Sequence, residues 1–440
     1  INVSPQLTIL ETKKLVEQSM HIERSTLQVP LPKRFVVEIL YRDHTRAYRN
    51  SFYPGATFKP HNTVEFVTDD YFEVFNIIFK TAGDKMIIKD IVVANVEAPL
   101  ITPFKTALRT VHSIQNIAVY VHTDDGQIGV GEAAPTAVIT GETRGSIIYA
   151  IEEYIKPAIK GMEIEDIAQI MERLNQCIYQ NTSAKAAVDM AIYDLYAKRY
   201  SAPLYQLLGG YRKELVTDIT ISVNDKEEMV KDSIAAVKRG FSILKVKVGK
   251  DPIGDVERIK AIREAVGPNI TLRVDANQGW TPKQAVRIIG TLEDANTNIQ
   301  LVEQPVHYSD LAGMQYVTKH TLTNILADES VFSPKDALTI IEKRAADLIN
   351  IKLMKTGGIY QAKKICQIAE ANDIECMIGC MLETKISVSA AAHFAAAEKN
   401  ITMIDLDGPS LCMKDPINGG PIFDKERITM TDAVGIGFSL

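Results

Sequence analysis

The chain has little that would tie it to a membrane, an oxidising compartment or nucleic acid. No apolar run approaches the roughly 18 residues of a membrane span, and the first segment lacks the basic and apolar regions of a signal peptide. A cytoplasmic location is the expectation. The five cysteines, Cys177, Cys366, Cys376, Cys380 and Cys412, are an odd number with neither CxxC nor zinc-like spacing, so reduced thiols are expected. A net charge of -6 is too mild and too evenly spread to suggest a nucleic-acid or anionic-membrane partner. Low-complexity tracts are absent. What remains is 440 residues, 46% hydrophobic and 24% charged, enough to bury more than one core in two or three domains.

The strongest signal is a period. Five short apolar runs end on a charge: ILKVK at Lys247, TLRVD at Asp275, QLVE at Glu303, NILAD at Asp328 and LINIK at Lys352. Their last residues lie 28, 28, 25 and 24 positions apart, a step that fits one strand and one helix of a βα unit. Between them run stretches of helical period, among them Lys226 to Arg239, Asp255 to Val266, Thr281 to Ala295 and Pro334 to Ala346, each opened near a capping residue or an early proline. Further strand candidates, TDITIS before the series and ECMIG and ITMID after it, bring the count to eight. Eight parallel strands close a barrel, and the C-terminal ends of all of them share one rim. Solvated strand-end charge would explain one such lysine or aspartate. Five in step point to an active site.

The chemistry follows from the residue types. Removing a proton from a carbon beside a carboxylate builds up a doubly charged ene-diolate, which needs a cation. Asp275, Glu303 and Asp328 on adjacent strands make an all-oxygen site that suits Mg2+. Lys247 and Lys352 lie four strands apart and so face each other across the barrel, where one can take a proton as an amine while the other delivers one as ammonium. Lys245 shares the inward face with Lys247, would lower its pKa toward the range of a base, and could hold the substrate carboxylate. Asp405 and Asp407 share a face at the end of the eighth strand. No histidine falls at a strand end of this barrel, so a histidine base is disfavoured.

By texture the chain has three parts. Residues 1–85 carry strand-like and helical pieces around a turn-rich middle, with no catalytic constellation. From Met86 the pattern becomes strand, hairpin with an Asp125-Gly126 turn, and helices, which reads as an α+β domain. Gly129-Val-Gly131-Glu-Ala-Ala134 matches a dinucleotide fingerprint in letters, but it follows a hairpin and runs into Pro135 instead of opening a βαβ helix, and is discounted.

The ordered set KVK (Lys245 to Lys247), RVDANQGW (Arg273 to Trp280), VEQPV (Val302 to Val306), ADES (Ala327 to Ser330) and NIKLMKTGG (Asn350 to Gly358) resembles the enolase superfamily, muconate-lactonizing branch. Within it, DLDGP at Asp405 to Pro409 and PFKTALRTV at Pro103 to Val111 resemble dipeptide epimerases of the L-Ala-D/L-Glu type. The resemblance implies a modified (β/α)7β TIM-like barrel at 206–414, an α+β capping domain at 86–205 completed by 415–440, and an N-terminal appendage at 1–85. It implies Mg2+, epimerisation at the α-carbon of the C-terminal residue of a dipeptide, and a place in murein peptide metabolism. By the same resemblance Asp405 and Asp407 would hold the substrate ammonium and Arg109 a glutamate side chain. Thr220, Asn277, Cys380 and Leu382 would line the pocket under a lid of Phe104 and Pro135 to Gly141. Cys380 departs from the small hydroxyl residue expected there. The alternatives are a cycloisomerase or o-succinylbenzoate synthase, which need no ammonium site, and a non-catalytic binding protein on this scaffold. A homo-oligomer is expected. The stretch from Val37 distantly resembles the C-terminal part of zinc D-aminopeptidases, without their ligand-bearing portion, which implies a catalytically empty appendage. A first residue of Ile leaves room for more chain ahead of it.

Overall fold

The computed structural model describes residues 85–106 and 109–439, and three short strands in the preceding segment. The chain divides into two compact units, Ile1–Lys85 and Met86–Leu440. In the first, β1 (Phe35–Glu38), β2 (Thr57–Lys59) and β3 (Thr63–Phe66) pair antiparallel in the order β1-β3-β2. Everything else expected of residues 1–85, the aminopeptidase resemblance included, lies outside the described residues.

The second unit begins with an antiparallel meander of β4 (Ile88–Lys105), β5 (Thr110–Thr123) and β6 (Ile128–Ala133). The Asp125-Gly126 turn joins β5 to β6, with Gly126 at φ +85, a conformation a β-carbon would resist. Helix Thr182–Arg199, buried over most of its surface, lies against β6. The contact is too close for any side chain on the strand: a Cβ on Gly129 would stand 2.1 Å from the Ala191 carbonyl oxygen, and one on Gly131 1.9 Å from that of Ala187. The paired glycines of the discarded fingerprint therefore serve helix-on-strand packing.

β7 (Glu214–Val216) pairs with a C-terminal hairpin, Ile422–Asp424 and Arg427–Thr429. Then come eight parallel strands: β8 (Ile219–Ile221), β9 (Ile243–Lys247), β10 (Thr271–Asp275), β11 (Ile299–Glu303), β12 (Asn324–Ala327), β13 (Leu348–Lys352), β14 (Cys376–Gly379) and β15 (Ile401–Asp405). They lie in sequence order, as βα connections require. A parallel bridge between Thr217 and Ile404 brings the first strand back to the last. The intervening helices start where the caps predict: Asp225, Thr281 and Ser333 each accept a bond from the backbone amide three residues on.

Side-chain alternation sorts the barrel interior into layers. Leu301, Leu326, Leu348, Met377 and Met403 form an apolar plug. Two residues further along β11 and β15, and one step past β12, the same inward face presents Glu303, Asp405 and Asp328. The C-terminal tail returns to the helices of the α+β part: the Ile436 amide donates to Asp194 Oδ1 at 2.8 Å and the Gly435 amide to the Ala202 carbonyl at 3.0 Å. Among the described residues no helix is long and apolar enough to cross a membrane.

The Gly131 contact yields a prediction. Gly131→Ala should cost about 1–3 kcal/mol by overpacking the strand against the helix, read as a lower urea midpoint at unchanged slope. An unchanged midpoint would mean that the helix moves away freely.

Candidate active site

The C-terminal rim of the barrel is a buried lattice of ammonium and carboxylate groups. Lys247 donates to Asp275 at 2.6 Å and Lys352 to Asp328 at 2.7 Å. Lys245 stands between three acids, with Nζ 2.7 Å from Asp405 Oδ2, 2.7 Å from Glu303 Oε2 and 3.2 Å from Asp275 Oδ2. All of these residues are buried. Burial would raise Asp328 and Asp405, but the lysines outweigh it, holding Asp328 well below the usual carboxylate range and Asp405 at about 2. Burial would depress Lys245; Asp405, Glu303 and Asp275 lift it well above an ordinary lysine. Glu303, by contrast, is pushed to about 8 by burial and by the charge of Asp275.

The cleft above this lattice is lined by Lys245, Lys247, Lys352 and Asp328 together with Thr220, Asn277, Cys380, Leu382, Asp405 and Asp407. The end of β4 adds Phe104, the β4–β5 connection adds Arg109, and the loop after β6 adds Thr136, Val138 and Ile139. The sequence-predicted set is thus brought together, except that Asp275 and Glu303 lie beneath the wall, behind the lysines. Asp407 accepts from the Thr220 amide at 2.7 Å, and burial with the nearby Asp405 charge raises it to about 6. Asn277 and Gln304, immediately beyond β10 and β11, have φ of +41 and +37. That strain is compensated locally: the Asn277 amide caps Asp275 Oδ1 at 2.8 Å, and Gln304 Oε1 accepts from the Asp328 amide at 2.9 Å.

Four residues were not anticipated. Lys355 bonds to the Asp328 carbonyl and places Nζ 2.7 Å from its Oδ1. Asn350 donates to Glu303 Oε1 at 3.0 Å. Period two gave a signal for Asn350, two residues before Lys352 on the same inward face; Lys355 lies past the strand, where no period applies. Glu329 lines the cleft, with Oε2 buried and without a hydrogen-bond partner. Asp218, paired with Arg273 at 2.8 Å, completes the one acid cluster among the described residues whose oxygens lie within 4.8 Å of one another, Asp218, Asp405 and Asp407.

Asp275, Glu303 and Asp328 do not form such a cluster, contrary to the simple picture of an open carboxylate trio; ammonium groups stand between them. They nevertheless fit a divalent cation. Glu303 Oε2 and Asp328 Oδ1 are buried and accept no well-directed hydrogen bond, although an ammonium nitrogen lies 2.7 Å from each. Oxygen-only donors around a point already held by positive charge suit Mg2+.

A lysine and carboxylate rim on a parallel barrel, roofed by a sheet-and-helix segment from the same chain, defines a barrel enzyme of the enolase type. The chain belongs to the mandelate racemase/muconate lactonizing enzyme family of that superfamily: residues 88–209 match the mandelate racemase/muconate lactonizing enzyme N-terminal domain and residues 228–440 the enolase C-terminal domain-like model. It is 55% identical over 352 residues to the L-Ala-D/L-Glu epimerase of Clostridium acetobutylicum, covering 80% of this chain and 98% of that one. The substrate-liganded L-Ala-D/L-Glu epimerase of Bacillus subtilis superposes with a TM-score of 0.80 at 49% identity, over 80% of this chain and 99% of that one. The dipeptide epimerase of Enterococcus faecalis, solved with Mg and L-Leu-L-Tyr, gives 0.78 at 45% identity, over 81% and 100%.

The position of Lys245 makes a prediction independent of turnover. Lys245→Met leaves three buried acids short of a counter-charge and should cost about 3 kcal/mol or more in chelator. Mg2+ should then raise the melting temperature of the variant further than that of the wild type, because the ammonium no longer competes for Asp275 and Glu303. Equal responses would mean that cation and ammonium do not share these oxygens.

Proposed function

We propose that the chain epimerises the α-carbon of the C-terminal residue of a dipeptide, foremost L-Ala-D/L-Glu, with Mg2+ as cofactor. The observation that carries this reading is the pair of buried lysines on β9 and β13, both facing one cleft and each hydrogen-bonded to a different carboxylate. A substrate carbon between them has a proton-transfer group on each side. One lysine, as the amine, takes the α-proton; the other, as ammonium, delivers one to the opposite face, and the centre inverts. Running the reaction backwards exchanges the roles. Asp275, Glu303 and Asp328 would hold Mg2+, which would supply positive charge against the electron density that grows on the substrate carboxylate.

Asp405 and Asp407 bind the substrate ammonium, Arg109 reads the side chain, and Thr220, Asn277, Cys380 and Leu382 shape the walls around them. A cycloisomerase or synthase substrate has no ammonium for the two aspartates to meet, and the relatives named above, dipeptide epimerases, favour the same choice. In this reading residues 86–205 and 415–440 cap a barrel at 206–414, the first 85 residues are an appendage, and the enzyme works as a homo-oligomer in the cytoplasm on peptides released from cell wall.

A dipeptide library incubated in D2O and read by mass spectrometry tests the assignment, since α-proton exchange reports every substrate at once. Lys247→Ala and Lys352→Ala should each lower epimerisation by roughly 10^3-fold, while the surviving lysine still exchanges the one enantiomer that faces it. Near-normal epimerisation in either variant would remove the two-base mechanism.

Asp407 adds a pH dependence. Its carboxyl must be ionised to hold the ammonium, and its raised value of about 6 means that the anionic fraction falls as pH drops through that point. KM for Ala-Glu should therefore rise below pH 6, and Asp407→Asn should show a high KM without that step. A flat wild-type KM from pH 7.5 to 5 would contradict the role.

A further inference from the structure

Buried acceptors without donors gather at one place in this molecule. Ten polar side-chain atoms among the described residues are buried without a hydrogen-bond partner, and five of them, on Asn277, Glu303, Asp328, Glu329 and Asn350, sit within or just beyond β10 to β13. All five are oxygens. Glu303 Oε2 and Asp328 Oδ1 belong to the three acids already read as cation ligands. Asn277 Oδ1 and Glu329 Oε2 do not, yet both residues line the cleft, and they are only 7% and 3% exposed. The two side chains meet: Asn277 Nδ2 donates to Glu329 Oε1 at 3.3 Å, which turns the Asn277 oxygen away and leaves each residue with one free oxygen. They approach the cation ligands from two sides. The Asn277 amide caps Asp275 Oδ1 at 2.8 Å, and Glu329 directly follows Asp328 in the chain. Asp328 and Asp275 press on Glu329 with like charge, which Lys352 only partly relieves. Leaving two buried acceptors unmet costs stability that a donor entering beside them would return.

We propose that Glu329 and Asn277 form an outer pair at the divalent-cation site and accept the hydrogen bonds of water that the cation retains. The inference rests on the reading of Asp275, Glu303 and Asp328 as Mg2+ ligands and deepens it. Mg2+ dehydrates reluctantly, and three carboxylates with a substrate carboxylate leave at least one octahedral position to water. Water polarised by a cation is a strong donor, and a carboxylate is the acceptor that suits it. As a fourth direct ligand, Glu329 would add negative charge where the substrate carboxylate must also bind. Its place is therefore one water removed, where it is a positioning residue: it steadies the cation's coordination without touching the reacting atoms.

The test titrates Mg2+ calorimetrically into metal-free wild type, Glu329→Gln, Asn277→Ala, the double variant and Glu303→Gln, and follows thermal melting in chelator and in Mg2+. Glu329→Gln should weaken Mg2+ binding by about 10-fold or more and Asn277→Ala by about 3-fold or more, with the double variant losing less than the product because both residues hold the same water. In chelator Glu329→Gln should melt higher than wild type, since it removes a buried charge that has no donor, and the further rise brought by Mg2+ should be smaller. A merely structural role would lower the melting temperature in chelator and in Mg2+ alike, and that result would overturn the proposal. So would unchanged Mg2+ affinity in both single variants while Glu303→Gln no longer binds, an outcome that leaves the three-ligand reading standing. Weakening in Glu329→Gln without any in Asn277→Ala would reduce Glu329 to bulk negative charge, and a loss as complete as that of Glu303→Gln would make it a ligand; either overturns the outer pair. If Glu303→Gln binds Mg2+ as the wild type does, the three-ligand reading fails and the outer pair with it.

Discussion

The structure depends on keeping several ionised groups out of water at one end of a barrel. An isolated buried ion is far too costly, so each must meet its opposite at hydrogen-bond distance. Parallel register arranges this: Lys247 on β9 lies opposite Asp275 on β10, which lies opposite Glu303 on β11. On the other side Lys352 lies opposite Gly379, and Gly379 opposite Asp405. A side chain at 379 would put its Cβ 2.9 Å from Lys352 Cε and 2.8 Å from Asn350 Oδ1. The absent side chain leaves Lys352 free to lie toward Asp328, and Asn350 to reach Glu303. Charge balance and steric room at the rim are therefore one constraint, and the apolar layer of Leu301, Leu326 and Met403 beneath keeps it dry.

The segment above the rim is fastened to it by another buried acid. Glu132 on β6 accepts from Asn116 Nδ2 at 2.6 Å, from the amide and hydroxyl of Thr384 at 3.0 and 2.7 Å, and from the amide and hydroxyl of Ser387, both at 3.1 Å. Thr384 and Ser387 open the helix that follows β14, so the carboxylate also faces a helix N-terminus. Asn116 donates to the Leu382 carbonyl at 3.1 Å as well. The loop carrying Cys380 and Leu382 is thereby positioned from the sheet as much as from the barrel.

Much of this was legible beforehand, because the information is local and periodic. The βα step located the strands to within a residue or so, and β9, β10, β11, β13 and β15 end on the charged residues the runs predicted. Period two placed Lys245 beside Lys247 on the inward face. It could not say that the Lys245 ammonium would stand among the carboxylates, since that depends on three strands meeting in space. Glu132 and Lys355 were missed for related reasons: Glu132 acts across 252 residues of chain to Thr384, and Lys355 sits after its strand has ended. The glycines at 129 and 131 were rightly set aside as a nucleotide motif, but only the closeness of helix Thr182–Arg199 explains them.

The barrel rim and the roof above it draw their charged residues from different parts of the second unit. The lysines and carboxylates come from strand ends whose charges compensate one another, so replacing one unbalances the rest. Arg109 and Arg144 come from the β4–β5 connection and the start of a short helix, and neither has an ion-pair partner among the rim residues. Their substitution leaves the buried charge balance untouched. Cys380 is the exception at the rim. It lies half-buried at the barrel end near Asp405 and Asp407, and desolvation with the charge of Asp407 raises its thiol well above the ordinary range. A neutral thiol there contributes volume and weak polarity to the cleft wall, and no charge, beside the two aspartates.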